Sequence, residues 1–284
     1  GFKPITALRG ESIKRESRVS LRKGLVVLQF TVSVVLVLGS MVIYRQLVFV
    51  SDKDLGFDQN ELLFLEVPSG ITTFDSTLIN KYQRFQNRLR NLALVEEVTT
   101  TEDQPGVFIG SEFVVPDGKT RDEQVVMSVM WVDEYFFETF DIELIEGGLS
   151  GYEPGAPVKY YLNKAGALSL GWEEAVGKQV AIGSRSGLTR QGLVEGVIPN
   201  FNFESLHNPI KPMMIGIWPN HLSSGRWNLF IRSNTESYNT LIDQVEALWG
   251  EFYSERPFSI SFLDETIQKQ YESQTNLLKI LPFL

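Results

Sequence analysis

The 284-residue chain has no cysteine and only two histidines, His207 and His221. Without cysteine there are no disulfides, thiol nucleophiles or thiolate-bound metals. Two histidines are too few for a histidine-rich metal site, and no H-E-x-x-H occurs, so both read as loop or surface residues. No G-x-S-x-G is present and no serine has an evident histidine partner. Phosphate-binding loops are also incomplete. Gly118-Lys119-Thr120 has Phe113 where the first glycine belongs, and Gly171…Gly177-Lys178 is off in spacing and followed by Gln179. Both read as turns, and no cofactor, metal or catalytic constellation is expected. The paired carboxylates Glu96-Glu97, Glu173-Glu174 and Asp264-Glu265 read as solvated faces or helix starts.

A further absence is local. From Gly24 to Tyr44 the chain runs twenty-one residues without a formal charge. At about 1.5 Å per residue a helix of this length covers roughly 30 Å, the thickness of a bilayer's hydrocarbon core. Such a helix satisfies its own backbone polar groups, and the run is far too long for an ordinary strand. It is also longer than a signal h-region, and no small-residue cleavage site follows it. Residues 24–44 are therefore expected to span a membrane.

Charge is placed unevenly around this helix. Residues 1–23 carry seven basic and two acidic groups, net +5, whereas the whole chain is −9, so the part after Tyr44 holds −14. Basic residues beside a span mark its cytoplasmic end and suit anionic lipid head groups. The expected topology has residues 1–23 in the cytoplasm and the acidic bulk outside. The basic segment lacks interleaved aromatics, so no nucleic-acid partner is expected. The sequence starts at Gly1 and stops in the apolar stretch Leu277–Leu284, which reads as a fragment ending at the start of a second span.

Beyond the span the pattern is α+β. Residues 61–67 alternate as a strand. Leu78, Tyr82, Phe85, Leu89 and Leu92 recur at helical spacing, and 95–101 is a second strand. The far end repeats this order. It has a strand at 228–232, a helix carrying Tyr238, Leu241, Ile242, Val245, Leu248, Trp249 and Phe252, capped by Asn234 or Thr235, and a strand at 258–263. Two such units around a long middle predict a split βαβ domain, 60–104 with 225–264, one sheet with both helices on one face. A strand-rich insert, 105–224, lies between. Within the insert, 112–115, 124–131, 179–182, 191–197 and 211–218 read as strands. Residues 133–140 read as a short helix capped by Asp133, and 163–170 as one capped by Asn163 and ended by Gly171. Phe201, Phe203 and Trp218 line either an apolar ligand groove or the insert's core. Residues 265–284 read as a connecting helix leading into the second span.

Several stretches together resemble one half of a MacB/FtsX-like ABC transporter permease, of the duplicated kind found in Bacteroidetes. They are ITALRGE with LRKGLVVLQFTVSVVLVLG, VDEYFFETFDIELIEGG, YLNKAGALSLGW with VGK, VEGVIPNFNFESLHNPIKP and FLDETIQKQYESQ. The resemblance implies a periplasmic core domain made of a porter-like subdomain and an inserted sabre-like one. It implies an inner-membrane location and no enzymatic activity of its own. It also implies a cytoplasmic ATPase partner, pairing of permease halves or subunits, a periplasmic partner protein, and transmission of ATP-driven motion to envelope substrates. The alternative from the residues is a membrane-tethered ligand-binding or sensor domain.

Overall fold

The computed structural model describes residues 22–42, 45, 61–68, 76–105, 109–151, 156–184, 187–201, 203, 210–217, 226–235 and 237–267. His207, His221, Trp218, residues 1–21 and residues 268–284 lie outside these, as do the expectations that concern them. The chain divides into two compact units, Gly1–Lys53 and Asp54–Leu284.

In the first unit, α1 (Arg22–Val42) is one helix long and apolar enough to cross a membrane. None of its side chains is buried; Leu28, Phe30 and Val37 are each more than 60% exposed. That separates it from the core helix of a soluble domain, whose apolar stripe is covered. Its hydroxyls turn back onto the helix: Thr31 Oγ1 donates to the Val27 carbonyl at 2.9 Å and Ser40 Oγ to the Leu36 carbonyl at 2.8 Å. In hydrocarbon such back-bonding removes the cost of an unmet polar group.

The second unit is mixed helix and strand. Strand β1 (Leu62–Pro68) pairs antiparallel with β10 (Arg226–Arg232) on one side and β11 (Ile260–Phe262) on the other. Strand β10 then pairs with β2 (Glu97–Thr101), so chain ends far apart in sequence share one sheet. Alternation sorts the side chains. Leu63, Leu65, Val67, Val98, Leu229 and Ile231 face helices α2 (Ser76–Arg90) and α5 (Tyr238–Tyr253) and form one core with them. Those helices bury Tyr82, Phe85 and Leu89, and Leu241, Val245, Leu248 and Trp249. They meet where Phe85 approaches Trp249 edge-on, ring centres 6.0 Å apart. The sheet's other face carries Phe64 and Phe230, and Phe140 from the short helix α3 (Phe136–Thr139) covers Phe230 at 5.1 Å.

Strands β3 (Ser111–Pro116), β4 (Val125–Val132), β6 (Val158–Asn163), β7 (Gln179–Ser184), β8 (Gly187–Ile198) and β9 (Met213–Ile217) pair in the cycle β4-β3-β7-β8-β6-β9, closed by a parallel β9–β4 ladder. The result is a six-stranded barrel, which leaves none of these strands with two free edges. The two-residue strand β5 (Glu146–Gly147) adds to β8. Val114, Met127, Val129, Trp131, Tyr160, Leu162, Val180, Ile182, Val194 and Met214 form a core inside, with Ala167 of helix α4 (Lys164–Ser169) and Trp172 joining it. A barrel this small is filled by side chains. Gly216 makes the filling work. It pairs with Trp131 on one side and Tyr160 on the other, and a Cβ there would come within 2.5 Å of Trp131 Cζ3.

Three local expectations are corrected. Residues 258–263 are strand only over Ile260–Phe262, because Leu263 turns into a helix, α6 (263–267). The cap position of α5 is Ser237, not Asn234 or Thr235; the Thr235 hydroxyl accepts from the Ser237 amide, fixing the turn before the helix. Helix α3 begins at Phe136, three residues past Asp133, because the Asp133 carboxylate is engaged elsewhere.

Candidate functional site

The polar centre of the domain is that carboxylate. Asp133 directly follows β4, and its main-chain N–H donates to the Thr100 carbonyl of β2 at 3.1 Å. Its Oδ2 accepts from the Thr100 amide at 2.9 Å, where β2 has run out of strand partner, and from Gln86 Nε2 of α2 at 2.8 Å. Its Oδ1 accepts from Thr99 Oγ1 at 2.5 Å and from the Tyr135 amide at 3.2 Å. The carboxylate thus stands in for the missing strand at the edge of β2 and is gripped from both faces of the sheet.

Arg90 completes the cluster. Its Nε donates to Glu97 Oε1 at 2.8 Å and its Nη2 to the Val98 carbonyl at 2.5 Å, with Asp133 Oδ2 at 3.8 Å. The guanidinium lies 3.7 Å from the centre of the Tyr135 ring. Deeper along α2, Tyr82 Oη and Thr100 Oγ1 share a hydrogen bond of 2.6 Å, and Gln86 Nε2 also donates to Thr100 Oγ1 at 3.0 Å. Burial pushes the Asp133 carboxyl up to about 6, against the Thr99, Arg90, Gln86 and Tyr135 contacts that favour its charge. Burial likewise holds the Tyr82 phenol well above its ordinary range.

Chemically this is a fastening. A carboxylate offers about four lone-pair sites. Here four donors take them, two on each oxygen, and tie the group to α2, β2 and the β4–α3 turn. The signal was present in the sequence. Tyr82, Gln86 and Arg90 recur every four residues, so α2 presents one polar row beside its apolar stripe. Asp133 itself reads in the sequence as a helix cap.

The other candidates fall apart. Glu97 pairs with Arg90, while Glu96, Glu173 and Glu174 are exposed. Asp264 and Glu265 are exposed in the first turn of α6. Gly118 and Gly177 take positive φ of 70° and 83° as turn residues; Lys119 pairs with Glu123 at 2.7 Å, and Lys178 lies over the Trp172 ring. Phe201 and Phe203 are both buried, edge-on to each other at 5.8 Å. Among the described residues no three His, Cys, Asp or Glu side chains gather as a metal site.

No protein-family model and no curated protein matches the chain. Solved structures do. The fold is shared with a domain described as belonging to a permease protein of Porphyromonas gingivalis, at a TM-score of 0.51 and 14% identity, over 72% of this chain and 92% of that one. The extracellular domain of the noncanonic ABC-type transporter YknZ from Gram-positive bacteria aligns at a TM-score of 0.46 and 11% identity, over 70% of this chain and 98% of that one. At these identities the first likeness establishes a common fold, in a chain that also carries an apolar helix of spanning length.

Proposed function

We propose that the chain is part of the membrane subunit of a MacB/FtsX-like ABC transporter, with α1 spanning the cytoplasmic membrane and the following domain outside it. The observation that carries this reading is the pairing, in one chain, of a fully exposed apolar helix with a domain that shares its fold with a permease domain. In this reading the β11-β1-β10-β2 sheet with α2 and α5 is the porter-like part, and the barrel is the sabre-like insert. The N-terminal +5 segment lies in the cytoplasm, against anionic lipid, and the whole subunit works with a cytoplasmic ATPase. Permease halves or subunits pair, and a periplasmic protein receives the domain. The domain transmits motion to an envelope substrate and performs no reaction itself. The satisfied carboxylate at its polar centre supports that view, because it is built to hold elements together and not to meet a ligand.

The test is fractionation. The full chain expressed in a bacterium is expected to sediment with membranes and to resist alkaline carbonate extraction, while deletion of residues 22–42 releases it. Extraction of the intact chain into the supernatant overturns the reading.

A further inference from the structure

The second unit is compact, but two bodies can be told apart within it, the helix-covered sheet and the barrel, and little strand pairing joins them. The core beneath α2 and α5 and the core inside the barrel share no residue. Neighbouring strands elsewhere are zipped along their length: seven register pairs join β1 to β10, five join β10 to β2 and five join β4 to β9. Between β2 and β4 there is one, Thr101 with Val132, flanked by the Glu102 amide on the Trp131 carbonyl at 2.9 Å and the Asp133 amide on the Thr100 carbonyl at 3.1 Å. A joint this short, two hydrogen-bonded rungs about one residue pair, resists stretching and holds its angle less firmly than the five- and seven-pair ladders.

Other contacts across this joint differ in kind. Helix α3 is a wedge that touches both bodies through rings, Phe140 on Phe230 of the sheet and Phe137 on Tyr161 of the barrel at 4.6 Å. Ring contacts are non-directional and slide. Asn228 Nδ2 on the Glu102 carbonyl at 2.8 Å binds the sheet to its own flanking turn, while Arg232 Nε on the Thr139 carbonyl at 2.6 Å is a single tie from β10 to α3. Asp133 supplies a convergent set of directional bonds, four on one carboxylate, and it sits one residue past the joint. Through it the β4–α3 turn is tied to α2 by Gln86 and to β2 by Thr99 and Thr100. Arg90 reinforces the tie by stacking on Tyr135 of that turn.

We propose that Thr101–Val132 is a hinge between the helix-covered sheet and the barrel, and that the Asp133 carboxylate is the latch that fixes its angle. With the latch made, sheet and barrel move as one piece. With it broken, each keeps its own core and the angle between them opens. The inference does not depend on the transport reading, and a soluble sensor with this fold would carry the same hinge.

The absence of native cysteine makes the test direct. In the full chain in detergent, exposed Asp117 on the β3–β4 turn and exposed Glu246 on α5 are replaced (Asp117→Cys, Glu246→Cys) and spin-labelled, one label on each body. A control pair, Asp117→Cys with Glu173→Cys, lies wholly on the barrel side. With Asp133 intact the 117–246 distance is expected to give one narrow distribution. Asp133→Ala is expected to shift it and broaden it about twofold, with the 117–173 control unchanged. Thr99→Val and Gln86→Leu each remove one arm of the latch and are expected to broaden it less, which keeps the test decisive if Asp133→Ala does not fold. An unchanged 117–246 distribution in Thr99→Val and Gln86→Leu overturns the proposal. So does broadening of the control to the same degree, which would make the carboxylate a requirement for folding and not a latch.

Discussion

Gln86 and Thr99 stand on opposite faces of the sheet and donate to different oxygens of one carboxylate, Asp133, at 2.8 and 2.5 Å. Register places them so: Thr99 pairs with Phe230 on the α3 side, and the next residue, Thr100, pairs with Leu229 on the α2 side. A side chain at the sheet's margin can reach both faces only where the neighbouring strand has ended, as β4 has at Val132.

The protonation of this group sets a pH dependence. Its pKa, pushed up by burial to about 6, lies above the unfolded value of about 3.9, so between these the folded chain holds a proton that the unfolded chain has released. Its contribution to stability is fully present below about pH 4 and is lost as pH rises through about 6. Denaturant unfolding, with the Asp133→Asn variant subtracted, is expected to show a fall of roughly 2–3 kcal/mol from about pH 4 to about pH 7. Asp103, also raised by burial, cancels in the difference. A flat or rising difference contradicts the assignment.

Tyr82→Phe tests the deep end of the polar row. It deletes the hydroxyl that bonds Thr100 Oγ1 at 2.6 Å and leaves the ring in its core. The expected cost is about 1 kcal/mol, read from the denaturant midpoint, with little change in slope.

Asn163 is a local anchor of the barrel. Fully buried, it accepts from the Gly166 amide at 2.6 Å and the Met213 amide at 3.0 Å, and donates to the Lys211 carbonyl at 2.9 Å. It caps α4 and pins the start of β9 together. Asn163→Ala removes a cap and strands buried backbone groups, and is expected to cost about 2–4 kcal/mol in the same measurement. Asn163→Asp keeps the acceptor and is expected to lose less.

Gly216→Ala tests the barrel's filling. The added methyl meets the Trp131 ring, which packs on Tyr160 at 6.0 Å between centres, and forces it off its place. A loss of about 1–3 kcal/mol is expected, as for overpacking elsewhere.

What could be read from the sequence was local. The 3.6-residue stripes gave α2 and α5, alternation gave β1 and β10, and Asn163 with Gly171 bounded α4 because cap chemistry is written in single residues. Closure of the barrel was not legible. The parallel β4–β9 ladder joins residues more than eighty positions apart, and the buried strands β4 and β9 are apolar on both faces, so alternation carries no register. The role of Asp133 is hidden for a related reason. An acid before a helix looks the same in sequence whether it caps that helix or reaches across a sheet edge. Only its partners at 86, 99 and 100 tell the two apart.

The central claim, a spanning α1 with the domain outside the cytoplasm, is tested most directly by thiol labelling of the cysteine-free chain. Single cysteines are introduced by Ser12→Cys in the basic segment and by Asp117→Cys in the domain, and intact spheroplasts are exposed to a membrane-impermeant maleimide. The account predicts labelling at position 117 without lysis and at position 12 only after it. Labelling at 12 with protection at 117, or protection of both until lysis, would contradict it.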